Sequence, residues 1–138
     1  MNEEMIKRHN EVVKPNDTFY HLGDVIWGSS LQKTQEFLNR LNGKKILIFG
    51  NHDDKKTLIA SHCFQQYYHY YDFKLDGEFI VLFHYPIEEW NKKFHGSIHL
   101  HGHCHNTLQN FLPKRIDIGV DSHNFYPWSW EEIKKECK

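Results

Sequence analysis

The sequence predicts a layered α/β protein, and three observations carry the prediction. Strand-like and helix-like segments alternate from Glu3 to about Ser61, and strand-like segments dominate beyond it. The apolar runs, such as Phe79 to Phe83, have strand length rather than helix length. Several of those strands also run straight into short loops that open with Gly, Asn or His, where α/β sheets place ligand groups. With 138 residues, the chain fits a single domain, 1-138, large enough to bury a core and too small for two.

The elements follow in order. Met5, Ile6, His9 and Val12/Val13 recur at roughly helical spacing, so Glu3 to Val13 reads as a helix, stopped by Pro15-Asn16-Asp17. Thr18 to Leu22 is a short strand running into Gly23-Asp24. Ser29 or Ser30 caps a second helix whose apolar face is Leu31, Phe37, Leu38 and Leu41, and Asn42-Gly43 ends it. Lys44 to Phe49 is an unbroken apolar run, as expected of a strand covered on both faces. A polar helical stretch follows to about Ser61. Gln66 to Leu75 and Phe79 to His84 read as two strands joined by Asp76-Gly77, a strong hairpin signal. Ser97 to His101 and Arg115 to Val120 are further strands, and Trp130 to Lys135 is a last short helix.

Bulk composition narrows the function classes. Apolar residues are 39%, charged residues 25% and aromatics 15%, which fits a globular protein, while a net charge of −1 offers no field to attract nucleic acid or an anionic membrane. Phosphate affinity would therefore have to be local. No apolar run reaches membrane-spanning length, and the acidic start Met1-Asn2-Glu3-Glu4-Met5 is unlike a signal peptide. Cys63, Cys104 and Cys137 are odd in number and lack Cys-x-x-Cys spacing, which points to reduced thiols and a cytoplasmic location.

Four spaced groups carry chemistry: Gly23-Asp24, Gly50-Asn51-His52-Asp53, His84 in Phe83-His84-Tyr85-Pro86, and Gly102-His103-Cys104-His105. Asp24, Asn51, His84 and His103 each follow an apolar strand. Carboxylate, amide oxygen and imidazole together suit a divalent ion that must also meet phosphate. Residues two apart on an extended segment share a side, so His103 and His105 can face one pocket while Cys104 turns away. Glycines at 23, 50 and 102 let the backbone turn sharply beside a ligand.

In that order and spacing, the four motifs resemble the calcineurin-like metallophosphoesterase superfamily, above all its small bacterial and phage members. Asn42-Gly43-Lys44-Lys45, His84-Tyr85-Pro86 and Gly119-Val120-Asp121 are similar to the same subgroup, so the likeness covers essentially the whole chain. The resemblance implies a two-sheet sandwich flanked by helices. It implies that Asp24 bridges two metal ions, that Asn51, His84 and His103 complete the shell of one, and that His105 belongs to the other. His52 would stabilise developing charge or protonate the leaving oxygen, with Asp53 orienting it. The implied activity is hydrolysis of a phosphomonoester or phosphodiester, nucleotides included, by a metal-activated hydroxide. Manganese is the first choice of metal, with iron, zinc or nickel as alternatives.

The sequence departs from that pattern at its start. The family's first motif is an Asp-x-His on the first strand, and the residues ahead of Asp24 contain none. Relative to the family the chain reads as N-terminally truncated and missing that strand. The expectation is one complete metal site and one depleted to Asp24 and His105. Three explanations stay open: a start upstream of Met1, a gene naturally shortened or split between chains, and a working variant with substitute ligands. Asp121-Ser122-His123 spells the motif, but in a segment that resembles the family's ordinary ending. A missing core strand would leave a sheet edge uncovered, so self-association is expected there. The alternative function is an inactive fragment, or a protein-binding module on the same fold.

Other residues have blander readings. His99 and His101 share the strand face of His103 and serve either as its supporting partners or as ordinary strand histidines. His95, in a loop, is weighed as a substrate contact. The aromatic residues between Tyr67 and Phe73 and between Phe125 and Trp130 read as packing rather than base-stacking platforms.

Overall fold

The computed structural model describes residues 3–23, 30–103, 112–119 and 126–137. Helix α1 spans Glu3–Val12, strand β1 Thr18–His21, α2 Leu31–Asn39, β2 Lys44–Ile48 and α3 Lys55–Ala60. After them come β3 at Gln66–Tyr68, β4 at Tyr70–Leu75, β5 at Glu78–Phe83 and a 3-10 turn at Lys93–His95. Strands β6 (Ile98–His101) and β7 (Arg115–Asp117) and helix α4 (Trp130–Glu136) complete the described elements.

Two sheets face each other. The first is parallel, in the order β1-β2-β3, and the second is mixed, in the order β4-β5-β6-β7 with only β4–β5 antiparallel. Strand β2 lies between two cores. Leu47 packs with Ile6, Leu38, Leu58 and Phe64 under the helices, whereas Ile48 packs with Leu22, Ile80, Leu82, Ile98, Leu100 and Ile133 between the sheets. Alternation along a strand sends neighbouring side chains to opposite faces, so an uninterrupted apolar run is what such a strand requires.

Local chemistry shapes the helices, and the cap expected at Ser29 or Ser30 falls on Ser30. Ile6, His9 and Val13 turn inward on α1 and just beyond it, while Val12 stays half exposed. Ser30 is the cap of α2, accepting from Lys33 N–H at 3.2 Å. Asp54 caps α3, and Ser129 with Glu132 forms a full capping box on α4. The hairpin between β4 and β5 turns on Asp76 and Gly77, with φ of +51° and +80°, as a two-residue turn of the primed kind demands.

One predicted strand is corrected. Gln66 to Leu75 breaks at His69 into β3, which pairs with β2, and β4, which pairs with β5 in the other sheet. Alternation is a property of each short segment and carries no information about which sheet it joins. The aromatic residues around the break pack as expected: Tyr68 stacks on Tyr71 at 4.5 Å, Tyr71 on Phe73 at 5.4 Å and Phe73 on Tyr20 at 5.1 Å. Strand β7 also ends earlier than Val120, at Asp117.

Candidate metal centre

The candidate site is built where β2, β5 and β6 end, so both sheets contribute to it. Beyond β2, the side chain of Asp53 accepts from the Gly50 N–H at 2.6 Å, closing a tight turn. That turn leaves Asn51 and His52 exposed. Beyond β5, His84 is only 1% exposed, and its ring is held by backbone: Nδ1 lies 2.5 Å from the carbonyl oxygen of Leu22. Beyond β6, Gly102 N–H donates to His84 O at 3.0 Å and brings His103 up beside it.

Three donor atoms then converge. His84 Nε2 lies 2.9 Å from Asn51 Oδ1, and His103 Nδ1 lies 3.2 Å from the same oxygen. A carbonyl can only accept, so the Leu22 contact assigns the proton of the neutral His84 ring to Nδ1. Nε2 then carries a lone pair aimed at the lone pairs of an amide oxygen. A cation beside them relieves that opposition, as does turning the Asn51 amide to present its NH2 group. The set of two imidazole nitrogens and one amide oxygen fits a borderline divalent ion. Among the described residues no group of three or more His, Cys, Asp or Glu converges, so these three donors are the described nucleus of the site. Asp24 and His105, the other expected ligands, lie outside the described residues, as do Cys104 and Asp121-Ser122-His123.

Glycine is required where the backbones meet. A Cβ on Gly23 would sit 2.5 Å from His84 Nδ1 and 2.6 Å from both N and Cα of Gly50, and its φ of +98° belongs to the left-handed region. Gly102 has less need, with its nearest neighbour, Leu22 O, at 3.3 Å. Residues 22–23, 50 and 102 thus close around one imidazole.

The remaining histidines divide clearly. His99 is fully buried: Ile87 N–H donates to its Nε2 at 3.0 Å and its Nδ1 donates to Val81 O at 3.1 Å. It is a satisfied core histidine, and burial pushes its pKa down to about 4. His101 is 1% exposed and donates to Gly102 O at 2.9 Å, which ties it to the peptide that precedes His103. His95 lies in the 3-10 turn before β6, at the opposite end of that strand from His103. Tyr85 is an addition: its ring packs 4.9 Å from His84 and 4.7 Å from His103. Its sequence signal was its place in His84-Tyr85-Pro86.

The site also adjoins a cavity of about 790 Å³ that reaches from His84 and His103 past Leu82 and Leu100 toward Tyr20 and Trp128. That size is within the usual range for small-molecule sites.

Comparisons with known proteins agree with this architecture. The calcineurin-like phosphoesterase family model matches residues 2–126. An uncharacterized protein of Methanocaldococcus jannaschii, MJ1445, is 34% identical over 145 residues, covering 98% of this chain and 74% of that protein. The crystal structure of a protein of unknown function from Aquifex aeolicus, AQ665, shares the fold with a TM-score of 0.77 at 27% identity. The match covers 96% of this chain and 82% of that one.

Proposed function

The chain belongs to the calcineurin-like phosphoesterase family, and from that premise we propose that it hydrolyses phosphomonoesters or phosphodiesters with a divalent metal held by Asn51, His84 and His103. Asp24 and His105 join this set on the motif resemblance. The observation that carries the reading is the convergence of His84 Nε2 and His103 Nδ1 on Asn51 Oδ1. When bound, such an ion supplies Lewis acidity, making water acidic near neutral pH and neutralising phosphate charge.

The chain's own groups do the rest. The fully buried ring of His84, fixed by Leu22 O, offers a donor that needs no reorganisation on binding. His52 stands exposed on the turn beside Asn51, where it can donate to a phosphate oxygen or protonate the departing one. Asp53 acts on His52 by holding that turn through Gly50 N–H. The adjoining cavity gives room for an organic leaving group, and its mainly apolar wall suits a nucleoside or similar body better than a polynucleotide.

The test is Mn²⁺-dependent hydrolysis of bis-p-nitrophenyl phosphate and p-nitrophenyl phosphate, with iron, zinc and nickel compared. His52→Ala should lower turnover by about 10²–10⁴-fold without loss of bound metal, and Asp24→Asn or His84→Ala should lower metal content. A folded chain that binds metal and turns over neither ester would overturn the enzymatic reading in favour of an inactive or binding fold.

A further inference from the structure

The donor cluster depends on where His103 points, and His103 holds an uncommon backbone conformation. Its φ is +68°, in the left-handed region that residues with a Cβ seldom occupy. Such a conformation persists only where neighbours over-determine it. The φ of His103 is the rotation about its own N–Cα bond, so the orientation of the 102–103 peptide sets it.

That peptide is held at its oxygen. Gly102 O accepts from His101 Nδ1–H at 2.9 Å, and the Gly102 N–H on the preceding peptide donates to His84 O at 3.0 Å. His101 is itself immobile. It is 1% exposed, Ile118 N–H donates to its carbonyl at 2.9 Å, and its ring packs 5.5 Å from that of His99. Ile98 and Leu100 face the other side of β6, and the neighbour on its own side is His99, whose two ring nitrogens are already committed to Ile87 N–H and Val81 O. Among the described residues the hydrogen bond of its ring goes to the peptide that aims His103, with Asp117, Arg115 and His84 as its charged or titratable neighbours.

We propose that His101 is a positioning residue that holds the 102–103 peptide in the orientation that points His103 at Asn51 Oδ1. The proposal rests on the reading of His103 as a metal ligand. It predicts a dependence on a donor at one place, that of Nδ1, rather than on imidazole as such. Asparagine can present an N–H at that place; leucine has none, and glutamine carries its amide out to the place of Nε2.

The experiment measures Mn²⁺ affinity by calorimetry for the full chain and for His101→Asn, His101→Leu and His101→Gln, with crystal structures of the folded variants. The leucine and glutamine variants should bind Mn²⁺ about 10–100-fold more weakly, the usual effect of losing an outer partner of a metal ligand. Their His103 should relax to negative φ, while the asparagine variant stays close to the native chain in both respects. Unchanged affinity and φ in the leucine or glutamine variant would overturn the proposal, as would an asparagine variant that falls as far as they do. Should the leucine chain fail to fold, the asparagine and glutamine pair decides alone. If the native chain binds no Mn²⁺, the metal reading fails, and the φ of His103 in the variants still decides the role of His101.

Discussion

His99 shows how completely a buried side chain can be committed to one protonation state. Accepting from Ile87 N–H and donating to Val81 O uses both ring nitrogens of the neutral form, and a second proton would leave Ile87 N–H facing another donor. Burial is the main cause of its low pKa of about 4 against an ordinary 6.5, with His101 and Arg115 nearby acting in the same direction. The unfolded chain therefore takes up a proton that the folded chain refuses. Stability from this residue is fully present above about pH 6.5 and is lost as pH falls toward 4, by roughly 3 kcal/mol in all. Buried His9, its pKa lowered by burial, adds in the same sense. Urea melts of wild type and His99→Gln from pH 7.5 to 4.5 should show a shallower acid slope in the variant; parallel slopes would contradict the assignment. Gly23 is the other residue with no latitude. Gly23→Ala should cost about 3 kcal/mol from overpacking and backbone strain combined. It should also displace His84, which denaturation and metal titration together would register.

At the level of elements, short segments rely on their ends. Helix α4 has only seven residues and brings Ile133 into the core between the sheets, and Trp130 ties it to the hairpin through Nε1–H to Asp76 at 2.9 Å. A helix this short has little intrinsic stability, so its cap matters. Ser129→Ala removes the acceptor for Glu132 N–H and should cost about 1 kcal/mol in chemical denaturation, with Ser129→Thr near neutral. The Ser30 cap of α2, the Asp76-Gly77 turn and the two-faced strand β2 were all legible in the sequence, because each depends on residues within one turn or strand. The break at His69 was not. Whether Tyr70 continues β3 or opens β4 depends on which partner strand is already in place, and that is a long-range matter.

For the whole molecule, the site joins the two sheets. Asn51 follows β2 of the parallel sheet, while His84 and His103 follow β5 and β6 of the mixed one. An ion bound to all three would cross-link the layers and stabilise the folded state alone. At a hundred times its dissociation constant it would add about 2.7 kcal/mol, or roughly 10 °C in melting temperature for a chain of this size. Thermal melts with Mn²⁺ and with chelator should show this rise in the native chain and its loss in His84→Ala. No helix among the described residues is long and apolar enough to cross a membrane.

The sequence by itself determined the class of fold, the strand ends at which ligands would stand, and the donor types present there, since strand length, capping and loop chemistry are local properties. It could also order Asn51, His84 and His103 into one set through motif resemblance. Only the tertiary structure decided that His84 is oriented by the backbone of Leu22, that Gly23 is pinned between His84 and Gly50, and that His99 and His101 part company two residues from each other. The first two depend on contacts between segments tens of residues apart, and His99 on contacts 12 and 18 residues away. The free energy of burying a polar ring is settled there, by whichever backbone groups the packed sheets happen to place against it.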